Sequence, residues 1–519
     1  MEDETTPPKK LRKKIIIIIL LSILIFHSVN NLIFLGIDAR PSSWDSSLHK
    51  SISISYYNKL MGKGETNPGN ISSMFNRAER YPKLYHISTV PLYILFGLKE
   101  DVAEMINLVY LVILVISVYL IGKELYSEKV GLLAAFITSI YPIVFGLTRL
   151  YLIDIPLTAI TALFFYFLIK LKREPKTKYI ILTLISILLG IFLKQSFLVF
   201  IFAPLLYVIG YHSMKLIKKY NIKRRYIIIG TIALAWLMLR TILLYLSTSS
   251  GYGYLHEITT KFSLYKLTTN LPKIFLNFIN IQTSFVLALT FIFSLAFFKK
   301  IKERIIFLLW IAFPILFMAA TGIFSGGRYL TPILPAVAII SSFGIFSINH
   351  KKTRKLLMIF IIIFSLFHFF DISYSYTHRE AQLPILNQID LYQNKYGIVV
   401  DDIFNPKKGD WQMGAILDFI YKDSEGNPAT IEVTLDSRNM NEHNFAYESY
   451  RKGYPFHITA GVDPLKADYV VMKTGYNEGW RKRSVLTTTY TVYQNMDSFE
   501  SIKWFLLPDK SFAQVIKRK

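Results

Sequence analysis

The chain has 519 residues, a formal net charge of +24, 52% hydrophobic residues and no cysteine. The missing cysteines exclude disulfides, thiolate metal sites and cysteine nucleophiles. The positive charge does not indicate nucleic acid, because Lys and Arg cluster between long apolar blocks, a pattern that belongs to membrane topology.

In chain order, a basic segment, 1–14, precedes an apolar run from Ile15. That run continues to Leu35 without a small-residue cleavage site, so an uncleaved first span is expected. Runs matching the thickness of a bilayer core predict eleven spans, at 15–36, 103–121, 129–147, 155–170, 179–194, 197–213, 226–246, 279–298, 305–322, 330–347 and 356–371. The short loops alternate between strongly and weakly basic. The positive-inside rule then places the N-terminus in the cytoplasm, and loops 37–102 and 247–278 on the opposite side. Leu84–Leu98, within the first of these, reads as amphipathic and suited to the membrane surface.

After His378 the pattern becomes that of a soluble domain, 379–519. Gly397–Ile403, Thr430–Leu435, Asp468–Thr474, Thr487–Gln494 and Ile502–Leu507 read as strands. Trp411–Tyr421 and Glu442–Arg451 read as helices. The expected architecture is a polytopic α-helical module over 15–378 followed by a small α/β domain, which an odd number of spans puts outside the cell.

Chemistry-bearing residues gather in the external segments. Asp45 follows Trp44 close behind the first span; it is a candidate base or, more plainly, a helix cap. Arg149 and Asp154 share one short loop and form either an ion pair or a site. Lys194 and Arg240 lie near the external ends of spans, where charge is functional or merely snorkels. Arg328 and Tyr329 follow two glycines, and a guanidinium suits phosphate recognition.

Several stretches together resemble the GT-C glycosyltransferases, in the branch of protein O-mannosyltransferases and aminoarabinose transferases. These are Trp44-Asp45, the Tyr81 to His86 stretch ahead of Pro91, Gly131 to Ala135, Arg149 to Leu157, Gly190 to Lys194, and Arg328 to Pro335, over about 15–347. Ser46 and Lys83 depart from the pattern, standing where many relatives carry Glu and Pro. The resemblance implies a membrane enzyme that takes a sugar from a polyprenyl-phosphate donor to a hydroxyl of a protein, lipid or glycan at the external face. Asp45 would be the base, with Asp154 also catalytic. Lys83, Arg149, Lys194, Arg240, Arg328 and Tyr329 would hold the donor phosphate. A divalent metal is compatible with this scheme, with His86 and Asp154 as candidate ligands. A transporter or flippase of lipid-linked sugars is the rival class. It accounts for the spans but not for the external acids.

Overall fold

The computed structural model describes residues 9–62, 82–220, 263–322, 327–374, 406, 409–437, 439–475 and 482–519. Among them, seven helices are long and apolar enough to cross a membrane, and a helix pair bent by 112° would make an eighth. The first is α1 (Lys9–Ile37). After it come α2 (Trp44–Leu60) and α3 (Leu84–Phe96). Next are α4 (Ile106–Leu125), α5 (Glu128–Ile140), α6 (Pro142–Leu147), α7 (Asp154–Arg173), α8 (Thr177–Leu193) and α9 (Phe197–Tyr220). The module continues with α10 (Leu264–Asn277), α11 (Phe285–Ser294), α12 (Arg304–Thr321), α13 (Leu334–Phe346) and α14 (Lys351–Tyr374).

The expected span 129–147 is broken into α5 and α6, because Pro142 cannot continue the ladder and begins a new helix instead. Span 179–194 is α8, a 17-residue helix. Span 226–246 lies outside the described residues, as do Gly397–Ile403, Tyr81 and Arg240. Helices α4 and α5 cross at Gly122 and Gly131, where an added Cβ on Gly122 would stand 2.6 Å from the Gly131 Cα. Without a hydrophobic driving force inside lipid, such small-residue crossings let backbones pack closely. The outer faces carry exposed side chains such as Ile18, Ile25, Leu188 and Ile363.

The C-terminal region forms a five-stranded mixed sheet of β1 (Ala429–Val433), β4 (Phe456–Thr459), β5 (Tyr469–Lys473), β6 (Phe499–Leu506) and β7 (Phe512–Arg518), in the order β4-β1-β5-β7-β6. A short hairpin, β2 (Asp436–Ser437) and β3 (Met440–Asn441), stands apart. Helices α15 (Met413–Asp423) and α16 (Glu442–Lys452) cover one face, where Ile416, Ile420 and Phe445 meet Ile431, Val471 and Val515. Helix α17 (Lys482–Gln494) covers the other, where Val492 meets Val470 and Ile516. The expected strand over Thr487–Gln494 is therefore wrong, because the segment belongs to α17. Its β-branched residues favour strand locally, but Thr488 and Val492 are buried four residues apart while Leu486, Tyr490 and Tyr493 face outward. Burying that helical stripe against the sheet overrides the propensity.

Candidate functional site

Asp45 lies in the first turn of α2, behind Ser43 at the cap position, so it is not itself the helix cap. Its carboxylate accepts from Arg328 Nη2. Arg328 sits in a 3-10 turn, Gly327–Ile333, that leads into α13. Three bonds steady the turn: Gln282 Nε2 donates to the Gly327 carbonyl, Thr331 Oγ1 to that of Arg328 (2.6 Å), and Trp310 Nε1 to that of Pro332 (2.9 Å). Arg328 is 6% exposed while Asp45 is 39% exposed, so the guanidinium is buried behind a carboxylate that solvent still reaches. Arg328 Nη2 also donates to the Tyr329 hydroxyl at 3.1 Å.

Lys194 caps the C-terminus of α8. Gly190, one turn earlier, lies flat against the Phe197 ring, and an added Cβ there would collide with it. That close approach folds α8 back onto α9 with Lys194 at the bend. Lys194 Nζ reaches Asp154 Oδ1 at 3.4 Å and lies 5.1 Å from the centre of the Tyr329 ring. Asp154, the first residue of α7, is buried. The structure thus brings Asp45, Asp154, Lys194, Arg328 and Tyr329 into one constellation.

Burial works to raise the Asp45 carboxyl, but the charge and hydrogen bond of Arg328 outweigh it and hold the group at about 2. His49, one turn along α2, escaped notice in the sequence, although its spacing of four from Asp45 could have flagged it. It is buried, and its Nδ1 lies 3.0 Å from His86 Nε2. Burial, and then His86, push His49 well below the usual imidazole value, while burial takes His86 down to about 3. Two neutral imidazoles therefore stand behind the carboxylate.

The other predicted residues have different neighbours. Arg149 is 1% exposed, donates to Ser373 Oγ (2.8 Å) on α14 and Asn31 Oδ1 (3.4 Å) on α1, and lies 4.3 Å from the centre of the Phe34 ring. Lys83 stands at the N-terminus of α3. Among the described residues no group of three or more His, Cys, Asp or Glu side chains is assembled that could hold a metal. His86 is paired with His49 and Asp154 with Lys194.

Sequence reasoning missed the joint between α2 and the C-terminal region. Trp44 Nε1 donates to Asp436 Oδ1 (2.8 Å), Asn444 Nδ2 to the Ser42 carbonyl (2.7 Å) and Ser51 Oγ to the His443 carbonyl (3.3 Å). Beneath it, Lys50 pairs with Glu104 at 2.6 Å, both buried, and sits 5.4 Å from the centre of the Tyr447 ring.

Residues 91–245 match the family described as dolichyl-phosphate-mannose-protein mannosyltransferase. No curated protein matches the sequence. Among solved structures, ArnT from Cupriavidus metallidurans bound to undecaprenyl phosphate aligns at 10% identity with a TM-score of 0.53, over 98% of both chains. Its apo form gives the same identity and score over 95% of this chain and 97% of that one. The archaeal oligosaccharyltransferase AglB from Archaeoglobus fulgidus, in complex with an inhibitory peptide and a dolichol-phosphate, aligns at 10% identity with a TM-score of 0.48, over 95% and 74%. The family match and the shared fold bear out the resemblance to GT-C glycosyltransferases of the protein O-mannosyltransferase and aminoarabinose-transferase branch, and the enzyme class they indicate is glycosyltransferase.

Proposed function

We propose that the protein transfers a sugar from a polyprenyl-phosphate donor to an acceptor hydroxyl at the extracytoplasmic face, in one inverting displacement. The observation that carries this reading is the Asp45–Arg328 pair, an acid and a phosphate-seeking cation held together beside Lys194 and Tyr329. The family match and the fold shared with a protein solved with undecaprenyl phosphate support the donor class.

In the resting pair, Arg328 keeps Asp45 too acidic to act as a base. An arriving donor phosphate competes for the same guanidinium, which can offer it two parallel bonds. Lys194 adds charge and Tyr329 a hydroxyl donor. Asp45, relieved of Arg328 but still crowded by burial, becomes the better proton acceptor. It takes the proton of the acceptor hydroxyl as that oxygen bonds to the anomeric carbon. The bond from that carbon to the phosphate oxygen breaks on the opposite face, and its electron pair leaves with the polyprenyl phosphate. Arg328 and Lys194 stabilise that departing charge. Arg149, by contrast, braces α1 against α14.

The test supplies purified protein in nanodiscs with a polyprenyl-phosphate monosaccharide, and follows polyprenyl phosphate release and the anomeric configuration of the product. Retained configuration refutes the single displacement. Movement of intact donor between leaflets, with no sugar released, favours the transporter class instead.

A further inference from the structure

The proposed base is carried on a helix that does not secure its own beginning. Asp45 sits in the first turn of α2, and Ser43 holds the cap position with no side-chain bond to that turn. A serine there ordinarily accepts from a free N–H of the first turn. The chain ahead of it, 38–43, is non-helical. Three bonds from the C-terminal region land on this entry instead. Asn439 Nδ2 donates to the Pro41 carbonyl (3.3 Å), Asn444 Nδ2 to that of Ser42 (2.7 Å), and Trp44 Nε1 to Asp436 Oδ1 (2.8 Å). Pro41, Ser42 and Trp44 all stand within four residues of Asp45.

The groups that make these bonds are themselves fixed. Strand β2 pairs with β3 through Asp436–Asn441 and Ser437–Met440. Asn441 Oδ1 accepts from the His443 and Asn444 amides (3.0 and 3.3 Å), which caps α16, and Asn441 Nδ2 donates to the Ser437 carbonyl (3.3 Å). Hairpin and helix start therefore form one unit. The Thr434 amide, just ahead of Asp436, donates to the Val471 carbonyl (3.0 Å) and ties that unit to β5. Asp436 is buried, and a hydrogen bond sheltered from water is stronger than the same bond in solvent.

Asp45 is thus held from two sides. Its carboxylate rests on Arg328, and its backbone rests on the first turn of α2. The first tether is lost when the donor phosphate takes the guanidinium. From then on the aim of the carboxylate depends on how firmly the entry of α2 is held. A misplacement of about 1 Å can cost about 10²-fold in rate, so a base needs support behind it. Contacts that only welded the two regions together would serve equally well along the body of α2, as Ser51 does with the His443 carbonyl. Asp436, Asn439 and Asn444 grip the entry instead, where α2 lacks a cap of its own.

We propose that Asp436 is a positioning residue for the transfer: through Trp44 it fixes the entry of α2, so that Asp45 keeps its aim when Arg328 turns to the donor phosphate. The assignment rests on the glycosyltransferase reading and gives the C-terminal domain a part in it.

The test uses the full chain in nanodiscs and a panel of polyprenyl-phosphate monosaccharides, with water as the acceptor. Amide exchange of the peptide 44–50 is read by mass spectrometry on the same preparations. Asp436→Ala should lower kcat at least about ten-fold while donor KM stays within about two-fold, since aim is lost and donor contacts are not. Exchange in that peptide should quicken, because the first turn of α2 opens more readily. Trp44→Phe should do the same, and the double variant should lose no more than either single one, since both break one bond. Asp436→Asn should keep kcat within about two-fold of wild type, because its amide oxygen still accepts from the indole. Ser51→Ala removes a seam bond farther along α2 and should leave kcat unchanged. Should Asp436→Ala fail to fold, Trp44→Phe carries the same comparison. Wild-type kcat in both Asp436→Ala and Trp44→Phe, or an equal loss in Asp436→Asn or Ser51→Ala, overturns the positioning role and leaves the transferase reading standing. No donor turnover by wild type sinks the transferase reading and the positioning role with it.

Discussion

Arg328 and Asp45 meet across 283 residues of chain, the guanidinium buried and the carboxylate partly open to solvent. The bond joins the entrance of α13 to the first turn of α2, and it makes the proposed base and the proposed phosphate ligand each other's resting partner.

Asp45→Asn keeps an acceptor for Arg328 but removes the base. Transfer should fall by at least about 10²-fold, the lower end of what general-base catalysis supplies. Donor binding should persist or tighten, because a neutral amide competes less well with phosphate for the guanidinium. Turnover within about ten-fold of wild type would contradict the base role.

Arg328→Lys keeps the charge and loses the fork. The donor concentration needed for half-maximal rate should rise, with only a small change in melting temperature. Early melting with normal donor dependence would show that the residue serves packing alone. Arg328→Gln should reveal itself in pH profiles. With Arg328 present, Asp45 stays ionised down to about 2, so kcat/KM should show no acidic limb from this group above roughly pH 4. Without the cation, burial dominates and that limb should move upward.

His86 gives a stability signature in a different pH window. Its folded value of about 3 lies below the ordinary imidazole value of 6.5. Its contribution is therefore complete above that ordinary value and is lost as pH falls toward the folded one, because the unfolded chain takes up the proton first. The slope is about 1.4 kcal/mol per pH unit over that window. Melting of wild type in detergent should drop from pH 7 to pH 5, and His86→Gln should flatten the decline. Equal slopes in both proteins would mean that His86 is not held neutral.

Lys50 and Glu104 form a buried pair, 1% and 5% exposed at their side chains. Lys50→Ala leaves a buried carboxylate without its cation and should cost about 3–5 kcal/mol. Replacing both residues by Met should recover much of that loss. Melting of the two variants side by side distinguishes an isolated charge from lost packing.

A reporter fused after Lys519 should be active on the extracytoplasmic side, as the alternation of loop charge predicts. Activity confined to the cytoplasm would invert the topology.

Much of this was legible in the sequence because period and hydropathy are local signals. The apolar helices, β1, β5, α15 and α16 follow from them. Strands β4 and β7 did not stand out, and α17 was misread because its Thr-rich surface imitates a strand while its buried stripe depends on a sheet assembled from elsewhere. Of the site, the motif residues Asp45, Asp154, Lys194, Arg328 and Tyr329 were visible and do converge. Arg149 was visible too, but a charge count could not show that its guanidinium lies among Phe34, Phe145 and Phe369. The joint with the C-terminal region was invisible, because Ser42 and Asn444 meet across 402 residues and no local pattern records such a meeting.

The seam between α2 and α16 also bears on how such a chain can be recombined. Trp44, Ser42 and Ser51 each bond the C-terminal domain, and Lys50 lies against Tyr447 while anchored to Glu104. The domain boundary drawn along the sequence is therefore not the boundary along which a chimera would hold together. A graft of residues 409–519 onto another scaffold would arrive without its matching surface, whereas one that carries 38–60 and the Glu104 turn with it keeps both the seam and the partner of Lys50.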